Sequence, residues 1–261
     1  MIKDTQVSMS GSNLLSVDWD FFFPELSYDP ELRSLYDWGH QDGGIFFLHD
    51  VWYDRAAGFI LNNMPLPTTS GDEATFWSRF RFARGCKLYY AESHHKIYHP
   101  RVRRKAFERI VNYDAHHDGG YKMTTEMFLE DRMVTCQNWA IAFQLSGARI
   151  ETVYPRWKKW AMDVEPTPAV PMHRHQDTGD SPSRPETFDK IFVCRSGGWT
   201  PPWLDNNFEL FIADAPVKDK FNLDGVRNRG WSPERLQDEV ATTREMLAKW
   251  NEEIQAAEDD Q

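Results

Sequence analysis

The sequence predicts an α/β protein in which a central, mainly parallel sheet lies between two layers of helices. Short apolar runs of strand length alternate with segments of helical periodicity, which is the pattern of βαβ units. Several of these runs end in Asp and His, and open parallel sheets collect functional groups at the carboxyl ends of their strands. The 261 residues suffice for a sizeable core, and we expect one domain over residues 1–261.

The individual elements follow from this alternation. The first strand begins at Leu14 and carries Asp18 and Asp20 at its carboxyl end. Further strands are predicted at residues 43–50, 86–91, 110–114, 149–154 and 190–194. Helices are predicted at residues 51–62, 73–84, 99–109, 134–146 and 232–257. Ser232 precedes the last helix as its N-cap.

Residues 86–114 have the order strand, polar tip, helix, strand, polar tip, which predicts a parallel pair. Both polar tips should therefore point to the same edge of the sheet. Residues 163–187 are rich in Pro, Thr, Ser and Asp and predict a flexible insertion. For His173 and His175 within it, a solvated loop is favoured over a second metal site.

Charge and composition limit the classes of partner. The formal net charge is -10 and the pI is about 5.4, which argues against binding to nucleic acid or anionic membranes. Three widely spaced Cys indicate buried thiols in a reducing compartment. Because no apolar run has transmembrane length and no signal-peptide core stands at the N-terminus, we predict a cytoplasmic protein without a membrane partner.

The most informative segment is an apolar run that leads into Asp114, His116 and Asp118, followed by two glycines. Carboxylates are hard anionic ligands, imidazole suits transition metals, and alternate residues of an extended chain share a face. The segment therefore favours a metal site over its alternative, a solvated polar loop.

Three strand ends are predicted to converge, and together they carry enough ligands for two metal ions. Two dications separated by about 3.5–4 Å need bridging carboxylates, and such a pair lowers the pKa of bound water to about 7. Asp18 and Asp114 are the predicted bridges. The predicted terminal ligands are Asp20, His95, His116 and Asp118.

These residues resemble the motifs of the ureohydrolase superfamily, which contains arginases and agmatinases and shares its fold with histone deacetylases. Residues 114–118 match its Asp-Ala-His-x-Asp motif, and residues 16–20 match its Ser-x-Asp-x-Asp motif. Residues 92–95 stand where the family has Gly-Gly-Asp-His. The Ser-x-Asp-x-Asp motif comes first here and last in ordinary arginases, so the motif order is permuted. That order, with residues 138–140 and 195–202, is similar to the peptide arginase branch.

The resemblance implies an arginase-like fold and a metal-dependent hydrolase that acts on a guanidino group. The expected reaction converts arginine, carried by a peptide, to ornithine and urea by attack of a metal-bridging hydroxide on the guanidinium carbon. Two divalent ions, Mn²⁺ first among them, are the implied cofactors. The implied partner is a small molecule or a peptide that carries a guanidinium.

Other roles rest on less specific features of the sequence. His94, His117 and His49 are candidates for a proton shuttle, and His117 is also a candidate structural residue. Residues 43–50 resemble the Gly-Gly-Leu-x-x-x-Glu segment that supplies the guanidinium-binding carboxylate in arginases, which makes Asp50 the first candidate for that role and Glu92 the second. The alternative for Asp50 is a helix N-cap, because Val51 opens a predicted helix. Asn138 could contact a substrate backbone. Trp199 and Trp203 either form the floor of a peptide-binding groove or pack within the turn that contains them.

Three rival functions remain at this point. A phosphohydrolase of the haloacid dehalogenase type would use the early Asp18 and Asp20, but three Phe follow where that family needs Thr or Val. A deacetylase-like amidohydrolase on the same fold would bind one metal ion. A non-catalytic homologue would bind metal or a partner protein without turnover.

Overall fold

The computed structural model describes residues 12–24, 45–103, 106–159, 161–179 and 186–259. Seven strands form one sheet in the order β5-β4-β3-β1-β6-β2-β7, and all neighbouring strands are parallel. The strands are β1 (Ser12–Asp18), β2 (Arg81–Ala91), β3 (Phe107–Tyr113), β4 (Arg149–Tyr154), β5 (His173–Gln176), β6 (Thr187–Cys194) and β7 (Asp219–Asn222). The helices are α1 (Ile45–Leu61), α2 (Thr125–Asp131), α3 (Trp139–Leu145), α4 (Ala161–Val164), α5 (Asp205–Asp214) and α6 (Pro233–Asp259).

Helices pack on both faces of the sheet, so the predicted α/β class with a parallel sheet is confirmed. The central strand β1 shows how the two faces divide. Leu15 and Val17 share one hydrophobic cluster with Phe211 of α5, whereas Leu14 shares another with Trp139 of α3. Burial on both faces explains why β1 carries apolar residues at consecutive positions, Leu14 and Leu15, rather than only at alternate ones.

Three predicted elements are wrong in their described parts. The described part of the strand predicted at 43–50 is the beginning of α1, because a short apolar run does not distinguish a strand from a buried helix. The helix predicted at 73–84 is two short 3-10 turns followed by β2. In the helix predicted at 99–109, residues 99–103 form turns and residues 107–109 belong to β3.

The segment predicted as a flexible insertion contains regular structure in its described part. It includes α4 and the strand β5, whose residues pair with Glu151–Tyr154 of β4. The histidines of this segment therefore lie on a strand rather than in a solvated loop. None of the described helices is both long enough and apolar enough to cross a membrane.

Candidate metal centre

The carboxyl ends of four neighbouring strands lie at one level of the sheet. Asp18 of β1 pairs with Cys194 of β6, which also pairs with Ala91 of β2. On the other side, Val17 of β1 pairs with Tyr113 of β3. The segments that follow these strands therefore meet at one edge, as the predicted parallel arrangement requires.

His94 lies at the centre of a first group of carboxylates. Its Nδ1 is 3.1 Å from Asp18 Oδ2, 3.1 Å from Asp118 Oδ2 and 3.3 Å from Asp114 Oδ2, and its ring is buried. One N–H cannot serve three carboxylates well, whereas ligand atoms held about 2.1 Å from a cation lie roughly 3.0–3.4 Å from one another. The three distances fit a metal position between the ring and the carboxylates.

A second group lies beside the first and shares Asp114 with it. His116 Nδ1 is 3.0 Å from Asp20 Oδ2 and 3.7 Å from Asp114 Oδ1. Asp114 thus places Oδ2 beside His94 and Oδ1 beside His116, whose backbone N–H donates to Oδ1 at 2.7 Å. One carboxylate adjoins both groups, as a bridge between two cations would. Asp18, the other predicted bridge, is shown in contact with the first group, through Oδ2.

The position predicted for His95 is taken by its neighbour. His95 is only partly buried, and its Nδ1 lies 2.8 Å from Ser93 Oγ. Both histidines belong to a 3-10 helix, His94–Tyr98, which follows β2 after two residues. Strand alternation ends before this turn, so the sequence alone could not decide which histidine faces the carboxylates.

Buried polar side chains hold the ligands in place, and the sequence reasoning missed them. Ser16 Oγ lies 2.8 Å from His94 Nε2, which directs Nδ1 of that ring toward the carboxylates. Asn112 donates to Asp114 Oδ2 at 2.9 Å. Ser16 and Asn112 are paired residues of adjacent central strands and are fully buried. Polar residues inside otherwise apolar strands were the signal that could have identified both.

Two more donors restrain the remaining carboxylates of the first group. Trp139 of α3 donates its indole N–H to Asp118 Oδ2 at 2.7 Å, and Ser196 donates to Asp18 Oδ2 at 2.6 Å. Asp118 has a φ of 51°, a left-handed conformation that Asp tolerates better than most residues. Such partners orient metal ligands and commonly change metal affinity 10- to 100-fold.

The electrostatics of the metal-free centre are unfavourable for its charged carboxylates. Burial, reinforced by neighbouring Asp residues, raises the pKa of Asp18 to about 8 and that of Asp118 to about 7. Burial likewise raises the pKa of Asp20. Although burial opposes it, hydrogen bonding to His116 and His94 lowers the pKa of Asp114. The centre therefore favours added positive charge, from protons or from metal ions.

We expect the metal-free protein to lose stability as the pH rises from about 5 to about 8. The folded-state pKa values of Asp18, about 8, and Asp118, about 7, exceed the ordinary value of 3.8. The folded state therefore binds more protons than the unfolded state in this window, and the free energy of unfolding falls as these protons are lost. Denaturant unfolding with chelator present, at about pH 5.5 and pH 8, measures the change.

The matched variant for this prediction is Asp18→Asn, which should show a smaller decline over the same pH range. The comparison separates Asp18 from His117, whose pKa is lowered by burial and which therefore acts in the opposite direction. An equal decline in both proteins would contradict the assignment to Asp18.

The centre forms the floor of a cleft of about 550 Å³, a volume that includes its open mouth. The lining residues are Asp18, Asp20, His94, His116, Asp118, Tyr121, Cys136, Gln137, Ser196 and Trp199. The Trp199 ring lies 5.3 Å from the His116 ring, so an aromatic wall adjoins the second ligand group.

Other predicted site residues lie apart from the two ligand groups. His117 accepts a hydrogen bond from Gly119 N through Nδ1 and donates one to Pro166 O through Nε2, both at 2.9 Å. This contact with the backbone gives it a structural position rather than that of a proton shuttle. Asp50 is exposed on α1 and pairs with Arg235. The side chain of His49 lies outside the described residues.

Asn138 also faces away from the cleft. Its Oδ1 accepts from Thr135 N at 2.7 Å, and its amide donates to Met133 O at 3.1 Å, so it stabilises the turn before α3. The preceding residue, Gln137, lines the cleft instead.

Glu92 has a structural role in a buried network beside the centre. It accepts hydrogen bonds from Arg195 and from Gly197 N, and Arg195 also lies 3.3 Å from Asp205. Asp205 is paired in turn with Arg229. The network fixes the turn that carries Ser196 and Trp199. Glu92 is therefore engaged by an Arg of the chain itself rather than open to a substrate guanidinium.

Comparison with protein-family models, with curated proteins and with solved structures gives no match for this chain. The inference of function therefore depends on the residues of the site and on their geometry.

Proposed function

We propose that the protein is a dinuclear metal-dependent hydrolase of a guanidino group. In this proposal it belongs to the ureohydrolase superfamily and converts arginine, carried by a peptide, to ornithine and urea. The observation that carries the proposal is the position of Asp114 between two groups, each built from one histidine Nδ1 and at least one further carboxylate. This arrangement supports two metal positions that share a bridging carboxylate.

The donor set suits Mn²⁺ or a similar divalent ion. His94, Asp18, Asp114 and Asp118 would hold one ion, and His116, Asp20 and Asp114 would hold the other. When bound, such a pair supplies a water nucleophile at neutral pH and positive charge for the developing oxyanion. The contribution of the chain is to fix the ligands through Ser16, Asn112, Trp139 and Ser196 at the floor of the cleft.

A guanidinium fits the character of the cleft. Trp199 and Tyr121 supply aromatic surface, which attracts a guanidinium through its π electrons. The three carboxylates that line the described cleft, Asp18, Asp20 and Asp118, all belong to the ligand groups. Because Asp50 and Glu92 are engaged elsewhere and the lining carboxylates would be committed to the metal ions, we assign recognition of the substrate cation to the aromatic wall.

The rival functions fit the geometry less well. A deacetylase-like centre needs one metal position, which leaves the group of His116, Asp20 and Asp114 without a role. A phosphohydrolase of the haloacid dehalogenase type needs Asp18 as a nucleophile, but its Oδ2 accepts from Ser196 and contacts His94. A non-catalytic homologue gives no reason for an open cleft above a full ligand set.

The test is urea release by the purified full chain after removal of metal and reconstitution with Mn²⁺. Free arginine, agmatine and an arginine-containing peptide should be compared at equal concentration, with chelator-treated protein as the control. We expect metal-dependent urea formation, fastest with the peptide. If no substrate yields urea at saturating metal, the guanidino-hydrolase proposal is wrong. One bound ion per chain, together with acetate release from an acetyl-lysine peptide, would instead support the deacetylase-like rival.

A further inference from the structure

A second set of metal-binding side chains lies at the outer edge of the sheet, on strands β4 and β5. Glu151 of β4 is the register partner of His173 of β5, and His175 lies two residues further along the same strand. Because alternate residues of a strand share a face, both imidazoles lie on the same side as the carboxylate. Each residue offers a ligand atom, and these atoms all lie within 4.8 Å of one another.

The hydrogen-bonding capacity of the His175 ring is only partly used within the described residues. His175 Nδ1 is buried and has no hydrogen-bond partner among the described residues. His175 Nε2 lies 3.6 Å from Glu151 Oε1, beyond hydrogen-bond distance. The His173 and His175 rings lie 5.0 Å apart. Ligand atoms around a tetrahedral cation are separated by about this Nε2–Oε1 distance.

The charged groups around Glu151, His173 and His175 are compatible with the binding of a cation. Arg109 donates its Nε to Glu151 Oε2 at 3.0 Å and pairs through Nη1 with Glu186. One guanidinium is thus shared by two carboxylates, and Glu151 Oε1 points to His175 rather than to Arg109. The local charge therefore stays negative after the Arg is counted.

We propose that Glu151, His173 and His175 bind one divalent transition-metal ion, Zn²⁺ by their chemistry, as a clip between strands β4 and β5. Two imidazoles and one carboxylate form a ligand set that Zn²⁺ accepts, with a fourth position for water. The site is separate from the centre at the carboxyl ends of β1 and β3, and it does not depend on the proposed hydrolase activity.

The clip would stabilise the connection between β4 and β5, which supports the main centre from outside. Within this connection, Pro166 O accepts from His117, and Ala169 N donates to Gly119 O at 2.8 Å. A side chain at Gly119 would collide with Met172 and Pro168, so the connection lies directly against the turn that carries Asp118. Fixing β5 to β4 holds this packed segment in place.

The test is the number of Zn²⁺ ions per chain, measured by elemental analysis after stripping, loading with excess Zn²⁺ and desalting. His173→Gln is the test variant, because His173 is exposed and its replacement leaves the core intact. His99→Gln, a change of the same residue type in a turn elsewhere, is the control. We expect His173→Gln to retain one ion fewer than the wild type, and His99→Gln to equal the wild type.

A second measurement distinguishes loss of this metal site from a loss of ions caused by misfolding. With the main centre already loaded with Mn²⁺, added Zn²⁺ should raise the Tm of the wild type more than that of His173→Gln, because any exchange of Zn²⁺ for Mn²⁺ at the main centre occurs in both proteins. Equal Zn²⁺ counts in the two proteins, or equal Tm shifts, would overturn the proposal. The readout is a difference of one Zn²⁺ ion between the wild type and His173→Gln. It therefore does not depend on how many ions the main centre binds or on whether that centre is active.

Discussion

Replacing Asp114 with Asn is expected to remove metal from both positions of the main centre and to reduce urea release at least about 10³-fold. Asp114 is the residue shared by the two ligand groups, with Oδ2 3.3 Å from His94 Nδ1 and Oδ1 3.7 Å from His116 Nδ1. Asn has nearly the same shape but lacks the negative charge that offsets repulsion between two dications. Metal content and urea release, measured on the same Mn²⁺-loaded sample, report the effect.

The control for this prediction is Asp214→Asn, the same chemical change at an exposed position at the end of α5. It should retain wild-type metal content and activity. A near-ultraviolet circular dichroism spectrum tests whether Asp114→Asn keeps the native aromatic packing. A folded Asp114→Asn protein with full metal content and normal urea release would show that the two groups do not depend on a shared carboxylate.

The second large effect is expected from a pair of adjacent substitutions, His94→Asn and His95→Asn. His94 Nδ1 faces three carboxylates, whereas His95 Nδ1 faces Ser93. His94→Asn should therefore weaken metal binding strongly and lower urea release at least about 10²-fold, whereas His95→Asn should change either quantity little. Isothermal titration with Mn²⁺ and the urea assay give the two readouts.

This pair tests the geometry directly, because the motif resemblance by itself favours His95 and the folded chain favours His94. A larger loss of Mn²⁺ affinity in His95→Asn than in His94→Asn would reverse the assignment. If both variants lose only a little Mn²⁺ affinity, neither His94 nor His95 is a metal ligand.

Several features were predictable from the sequence because they depend on local chemistry. The carboxylates Asp18, Asp20, Asp114 and Asp118 lie within a few residues of the ends of two apolar runs, and parallel strands bring such ends to the same edge. The Asp-x-His-x-Asp spacing also indicated that His116 belongs with them. The strands predicted at 110–114, 149–154 and 190–194 overlap β3, β4 and β6, since buried parallel strands are continuous apolar runs.

Other features were not predictable because they depend on where chain-distant groups meet. Glu92 looked available for a substrate until the fold placed Arg195 beside it. Asn138 was predicted to contact a substrate, but in the fold its side-chain amide donates a hydrogen bond to the backbone of its own turn. His173 and His175 became candidate metal ligands only because the pairing of β5 with β4 places Glu151 beside them.

For the main centre, the sequence determined the chemistry: which ligand types are present, in what spacing, and at the ends of which strands. The tertiary structure decided the rest: that His94 is the ring among the carboxylates, that Asp114 lies between two groups, and that Asp50 lies outside them. The physical reason is that ligand type is a property of single residues. The distance between ligand atoms, which determines whether a cation can be held, is set by strand register and by turns whose direction local sequence does not specify.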